Sequence, residues 1–208
     1  MKHANDIMSK KEKLKKLIFR QNSGLILRKL EALNREIRNC KKCPLWKTRK
    51  NTVPGEGSMD AKIMFIGQNP GSTETKAGKP FIGMAGKFLN ELLKIAKIDR
   101  KKIFITSALK CPTPKNRKPK KEEIEACLPY LKKQIEIINP QKFILLGEVA
   151  FKIFFSGKKL KDFRGKFIKK AGKEYFVSYH PAAGMRFPRI RKILEKDFKK
   201  IRENLKDF

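Results

Sequence analysis

The turn Gly67-Gln68-Asn69-Pro70-Gly71 follows directly on the apolar run Lys62-Ile63-Met64-Phe65-Ile66. A strand that ends in a tight Gly/Pro turn delivers backbone amides, and here the side-chain amide of Asn69, to the carboxyl edge of a parallel sheet, where open α/β folds place their ligands. Far downstream, His180-Pro181-Ala182-Ala183 brings an imidazole to the same edge. The chain has two histidines, and the other, His3, lies in a polar N-terminal stretch. Together the turn and the imidazole read as an active site.

All four cysteines fall into a second candidate set, with Cys40 and Cys43 in a C-x-x-C step, then Cys111, then Cys127. A chain inside the cell has little use for structural disulfides, so metal ligation competes with simple burial. Four thiolates suit zinc or an iron-sulfur cluster equally, and ligand type does not separate them. Pro44 and Pro112 each follow a cysteine.

The elements that must position these groups are legible as periodicity. Leu25, Leu27, Leu30, Leu33 and Ile37 mark an amphipathic helix leading to Cys40. Short β-rich runs are expected at Lys62 to Gly67, Ile103 to Leu109, Lys142 to Gly147 and Tyr175 to Tyr179. Helical patterns cover Ala85 to Leu93, Glu122 to Ile138 and Ile190 to Leu205, with Pro129 expected to kink or divide the second. This alternation predicts an α/β fold, a three-layer α/β/α arrangement around four parallel strands. Between Phe154 and Lys173 the pattern fits either a hairpin or loops. Length and hydrophobic content suit one domain over residues 25–208 behind a basic arm over 1–24.

Fifty-two Lys and Arg against twenty Asp and Glu give a net charge of +32. Self-repulsion on that scale is best tolerated when a polyanion neutralises it, which points to nucleic acid. Lysine enrichment also accompanies life at high temperature. No stretch approaches the ~20 apolar residues of a spanning helix and there is no cleavable signal pattern, so the expected location is inside the cell, in the cytoplasm and at the nucleoid, without membrane contact.

In order along the chain, Cys40-Lys41-Lys42-Cys43-Pro44-Leu45, Gly55-Glu56-Gly57, the Gly67 to Gly71 turn, Glu74, Gly78-Lys79-Pro80-Phe81-Ile82-Gly83, Lys110-Cys111-Pro112 with Asn116-Arg117, Glu122 to Cys127, and His180 to Ala183 with Arg186 resemble the uracil-DNA glycosylase superfamily, most closely its iron-sulfur family 4. The resemblance spans about Cys40 to Arg186. It implies a four-stranded parallel sheet flanked by helices and a structural [4Fe-4S] cluster held by Cys40, Cys43, Cys111 and Cys127. The implied reaction is hydrolysis of the N-glycosidic bond of a damaged base in DNA, leaving an abasic site, by an enzyme that is commonly a monomer.

Carried over by residue, the resemblance implies that Phe81 stacks on an extruded base. His180 and the amides from Gly67 to Gly71 would face the charge that builds on the departing base, with Glu74 also at the substrate. Family 4 usually has Glu then Ala where this chain has Gln68 and Asn69. An Asn at that third position resembles branches in which the amide positions the attacking water, so Asn69 takes that role beside Gln68. Where the family generally offers an Asn to the uracil edge, this chain has Ser107, which cannot present a bidentate amide. Hypoxanthine or xanthine therefore stands as an alternative base, and a non-catalytic iron-sulfur protein that binds nucleic acid as an alternative function. Met185 and Arg186, in an expected loop, would enter the duplex, while Lys110 and Arg117 would hold phosphates.

Overall fold

A computed structural model describes residues 23–205. The basic arm expected over 1–24 lies almost wholly outside the described residues. A first helix, α1, runs over residues 23–38 and turns Leu30, Leu33 and Ile37 inward.

The strands are β1 (Glu56–Gly57), β2 (Ile63–Gly67), β3 (Phe104–Ser107), β4 (Lys142–Leu146), β5 (Phe167–Lys170) and β6 (Lys173–Ser178). They form one sheet in the order β1-β3-β2-β4-β6-β5. The four expected strands are the parallel centre, β3-β2-β4-β6. Two antiparallel edges make the sheet six-stranded and mixed rather than four-stranded. At one edge the two-residue β1 pairs with β3, and at the other β5 forms a hairpin with β6. The hairpin turn is only Ala171-Gly172, with φ of 48° and 71°. That is the primed geometry that matches strand twist, normally signalled by Asn-Gly rather than Ala-Gly.

Strand alternation divides the core into two layers. Ile63, Phe65, Ile105, Ile144 and Phe176 face one side with Phe88, Leu89, Leu92, Phe198 and Ile201 from two helices, α3 (Met84–Ile95) and α8 (Pro188–Asn204). Met64, Ile66, Phe104, Phe143 and Val177 face the other, against α1, α4 (Lys121–Ile138) and α5 (Glu148–Phe154). Strands covered on both faces need no polar alternation, which is why each reads as a continuous apolar run. Burying each large side chain contributes roughly 1.5–3 kcal/mol.

Among the described residues the remaining α-helices are short, α2 (Ser72–Ala77), α6 (Leu160–Phe163) and α7 (Pro181–Arg186). Pro129 does not divide α4, which runs unbroken for 18 residues. It lies on the exposed face with Glu125, the residue whose carbonyl loses its N–H partner to the proline. The segment after His180 is not a loop. His180 caps α7, Pro181 takes the first helical position, and Met185 and Arg186 end the helix.

Candidate active site and cysteine centre

Parallel pairing brings the ends of β2, β3, β4 and β6 to one edge. Gly67 pairs in register with Ser107, and Leu146 with Ser178, so the Gly67 to Gly71 turn and His180 emerge on the same side. The ladder continues past β3, with Ala108 and Leu109 donating to the carbonyls of Gly67 and Gln68. Only β4 separates β2 from β6, a span of about 10 Å at ~4.8 Å per strand. The ring of Phe81 bridges it. That ring stacks on His180 with centroids 5.6 Å apart at 28°. It lies so close over Gly67 that a Cβ there would stand 2.7 Å from Cζ of Phe81, with Ser107 Oγ at 3.4 Å from the same point. Phe81, Ser107, Gly67 and His180 therefore converge.

Phe81 holds this place in a left-handed conformation, φ 50°, which an aromatic residue adopts only when its surroundings impose it. Three contacts do so. Glu74 is buried in α2, and its Oε1 accepts the N–H groups of Ile82 at 3.0 Å and Gly83 at 2.7 Å. Arg100 donates to the carbonyl of Pro80 at 2.8 Å. Below, Gly86 admits the Phe81 carbonyl, which a Cβ would meet at 2.0 Å. Glu74, expected at the substrate, is thus the clamp that sets the Phe81 loop.

Gln68 and Asn69 form a fixed pair. Gln68 Nε2 donates to Asn69 Oδ1 at 2.9 Å, and Asn69 Nδ2 donates to the carbonyl of Pro70 at 2.9 Å. Both ends of the Asn69 amide are oriented, and Oδ1 keeps a second lone pair for a water proton.

The His180 Nδ1 accepts the N–H of Ala182 at 3.2 Å. Its proton therefore sits on Nε2, which is left to donate. His180 retains some surface at the edge, but its ring is enclosed by neighbours, and burial pushes its pKa down to about 4 against a small opposing effect of Glu74. A buried pair supports the strand that carries it. Ser178 donates to Asp197 Oδ2 at 2.7 Å, and Arg164 donates to Asp197 Oδ1 at 2.8 Å. Burial raises the Asp197 pKa while Ser178 and Arg164 oppose the rise. Asp197 is the charge within the apolar stripe Leu194, Phe198 and Ile201 of α8, and that position was a legible signal of a buried role.

One of the expected phosphate contacts lies elsewhere, and a second is tied to a carboxylate. Lys110 is 1% exposed, and its ammonium donates to Thr106 Oγ1 at 2.6 Å, the Ser107 carbonyl at 2.8 Å and Gln134 Oε1 at 2.7 Å. It cannot reach a backbone phosphate from there. Burial lowers its pKa to about 8. Arg117 forms a two-pronged pair with Glu123, which also accepts the N–H of Lys120, so its guanidinium ties the loop after Cys111 to α4. The pair holds the Glu123 pKa below the ordinary carboxylate range. Met185 and Arg186 are exposed, beside Phe187, an exposed aromatic that sequence reading passed over.

The four cysteines line one cavity, roofed by Lys42, Arg49 and Tyr130. The short turn Pro44–Lys47 seats Leu45 beneath it, packed with Leu33, Ile37 and Leu109. Donors point at three of the sulfurs: Lys42 N–H at Cys40 (3.5 Å), Arg49 Nη1 at Cys111 (3.3 Å) and Lys110 N–H at Cys127 (3.3 Å). Burial pushes the thiol pKa values of Cys43 and Cys111 up, and that of Cys127 to about 11. Sulfurs gathered with donors in a site that resists bare thiolates fit a cationic centre bound between them. Among the described residues, no three His, Cys, Asp or Glu side chains are grouped to hold a single metal ion.

Comparison with known proteins establishes the family. The uracil DNA glycosylase superfamily profile matches residues 54–206. The type-4 uracil-DNA glycosylase of Sulfurisphaera tokodaii is 46% identical, over 84% of this chain and 84% of the relative. That of Saccharolobus solfataricus is also 46% identical, over 85% and 86%, and that of Thermotoga maritima is 38% identical, over 85% and 95%. The chain belongs to the uracil DNA glycosylase superfamily. Within it, these similar relatives all carry the type-4 name.

Two outcomes are expected. Glu74→Ala removes a charged acceptor from two N–H groups and should lower unfolding stability by about 2–3 kcal/mol in denaturant titration, with Phe81 released from its strained position. His180 has a folded pKa below its unfolded value near 6.5, so its neutral form contributes stability that is present above about pH 6.5 and lost as pH falls toward about 4. Nitrogen-15 NMR of the ring should show a neutral Nε2–H tautomer down to about pH 4, and a midpoint near 6.5 would contradict the buried geometry.

Proposed function

We propose that this chain is a monofunctional DNA glycosylase that hydrolyses the N-glycosidic bond of uracil, or of a related deaminated base, in DNA and leaves an abasic site. The observation that carries the reading is the His180–Phe81 stack above Gly67, with His180 Nδ1 occupied by the N–H of Ala182 so that Nε2 carries the proton. An extruded base needs an aromatic side chain to pack against and a donor at the oxygen where negative charge gathers, and Phe81 and His180 are groups of those types at this edge.

Extrusion costs roughly a few kcal/mol in unstacking and unpairing. Stacking on Phe81 recovers part of it, at about 1–3 kcal/mol per base. As the bond breaks, charge moves onto the base oxygen, and a fixed donor such as His180 Nε2–H contributes on the order of 10²–10³ in rate. A neutral donor suits this role, because it stabilises the developing anion without protonating the ground state. Asn69 Oδ1 accepts a proton of the attacking water, and Gln68 holds the amide plane. Ser107 meets the base edge with one hydroxyl, which fits uracil and leaves hypoxanthine and xanthine as candidates. Met185, Arg186 and Phe187 form the exposed end that meets the duplex, and the lysine-rich surface supplies phosphate contacts. Residues 25–208 act as one unit, a monomer inside the cell.

The cysteines Cys40, Cys43, Cys111 and Cys127 would hold a [4Fe-4S] cluster, with zinc the less favoured occupant; the relatives' type-4 name and the cavity shared by the four sulfurs support this. Such a cluster would supply a structural tie between α1, the end of β3 and α4, with no part in bond cleavage.

Duplexes carrying a single uracil, hypoxanthine or xanthine, incubated with the protein and treated with alkali, should break at the damaged position for at least one base. No cleavage of any of the three would reject the assignment. Asn69→Ala should slow single-turnover excision by about 10²-fold or more with DNA affinity unchanged, since its interaction is made at the transition state. Purified protein should be brown with broad visible absorption; a colourless, zinc-containing protein would replace the cluster with zinc.

A further inference from the structure

The ammonium of Lys110 is fully enclosed, yet each oxygen it binds belongs to the support of the crevice. The Ser107 carbonyl closes β3 immediately behind the Ser107 hydroxyl, and Thr106 Oγ1 and Gln134 Oε1 complete the shell. Thr106 Oγ1 and Gln134 Nε2 both donate to the carbonyl of Pro54, each at 2.8 Å, so the shell reaches the segment leading into β1. On its other side, Lys110 is fixed to the cysteine centre. Its N–H donates to Cys127 Sγ, its carbonyl accepts the N–H of Val53, and the next residue is Cys111. Burying an ammonium is expensive unless it is fully hydrogen-bonded, and here three protein oxygens take up its three protons. A charge kept in this position requires a reason beyond packing.

We propose that Lys110 is a positioning residue for base recognition: it locks the Ser107 carbonyl to the cysteine centre and thereby sets the Ser107 hydroxyl beside Phe81 and Gly67. The inference rests on the glycosylase reading, because it assigns Ser107 to the base. It removes Lys110 from the DNA surface and gives the cysteine centre a line of rigid contact to the base pocket through one side chain. Because the Ser107 hydroxyl meets the free base as well as the bound nucleotide, its misplacement weakens both.

The test is a double-mutant cycle on the holoprotein between Lys110→Met and Ser107→Ala, each checked for the visible absorption of the metal centre. The readouts are inhibition by free uracil, or by whichever base the panel identifies, affinity for product duplex containing an abasic site, and single-turnover excision. Lys110→Met is expected to raise the inhibition constant of the free base about tenfold and to slow excision, with abasic-duplex affinity unchanged. In the Ser107→Ala background it should add less than twofold, since the residue through which it acts is gone. Thr106→Val, which removes one oxygen of the shell and keeps the charge, should shift the same readouts in the same direction by a smaller factor; it is the deciding variant if Lys110→Met does not retain the metal centre. Unchanged free-base inhibition in Lys110→Met or Thr106→Val with the centre intact, or full additivity with Ser107→Ala, would overturn the proposal. Failure of wild-type protein to excise any base would instead remove the glycosylase reading itself, a distinguishable result.

Discussion

The contact between Phe81 and His180 sets the geometry of the site. The two residues are 99 positions apart and arrive from α-helical connections on different strands, yet their rings meet above the glycine that ends β2. Each is held by means the other does not share. Phe81 is forced into a left-handed backbone by Glu74, Arg100 and Gly86, whereas His180 is fixed as the cap of α7 by its own bond to Ala182. Stiffness on both sides matters, because an aromatic platform and a neutral donor act on a base only when both are in place before it arrives.

Beneath this contact lie two buried polar systems, one behind each wall. Asp197, Ser178 and Arg164 secure the end of β6, and Lys110, Thr106 and Gln134 secure the end of β3. Apolar packing would fill either space more cheaply, but it is indifferent to small rotations. A fully satisfied polar shell has one arrangement, and that is the property a recognition edge requires. The cysteine centre continues the second system outward, joining α1 and α4 to the same strand end.

The charge of the chain is divided in the same manner. Most of the lysines among the described residues lie at the surface, consistent with a polyanionic partner. Lys110, which sequence reading placed at a phosphate, is instead an internal tie, while Arg117 stays part-exposed and pairs with Glu123. Residue type and motif membership do not distinguish a lysine that faces DNA from one that faces three protein oxygens.

Much of the architecture was legible because periodicity is local. Four apolar runs gave four parallel strands, the helical stripes gave α3, α4 and α8, and the Gly/Pro turn and the distant histidine do emerge at one sheet edge. The antiparallel edges were not legible, since β1 has two residues and the β5–β6 turn lacks the usual Asn-Gly signal. Nor was the continuity of α4 through Pro129, which depends on which face of the helix meets solvent. By itself, then, the sequence determined the parallel centre, the cysteine set and the chemical types at the shared strand edge, because these follow from spacing along the chain. Only the tertiary structure decided that Glu74 clamps a loop, that His180 is neutral and that Lys110 is enclosed. Those properties depend on which distant groups close around each side chain, and burial by remote elements leaves no local pattern.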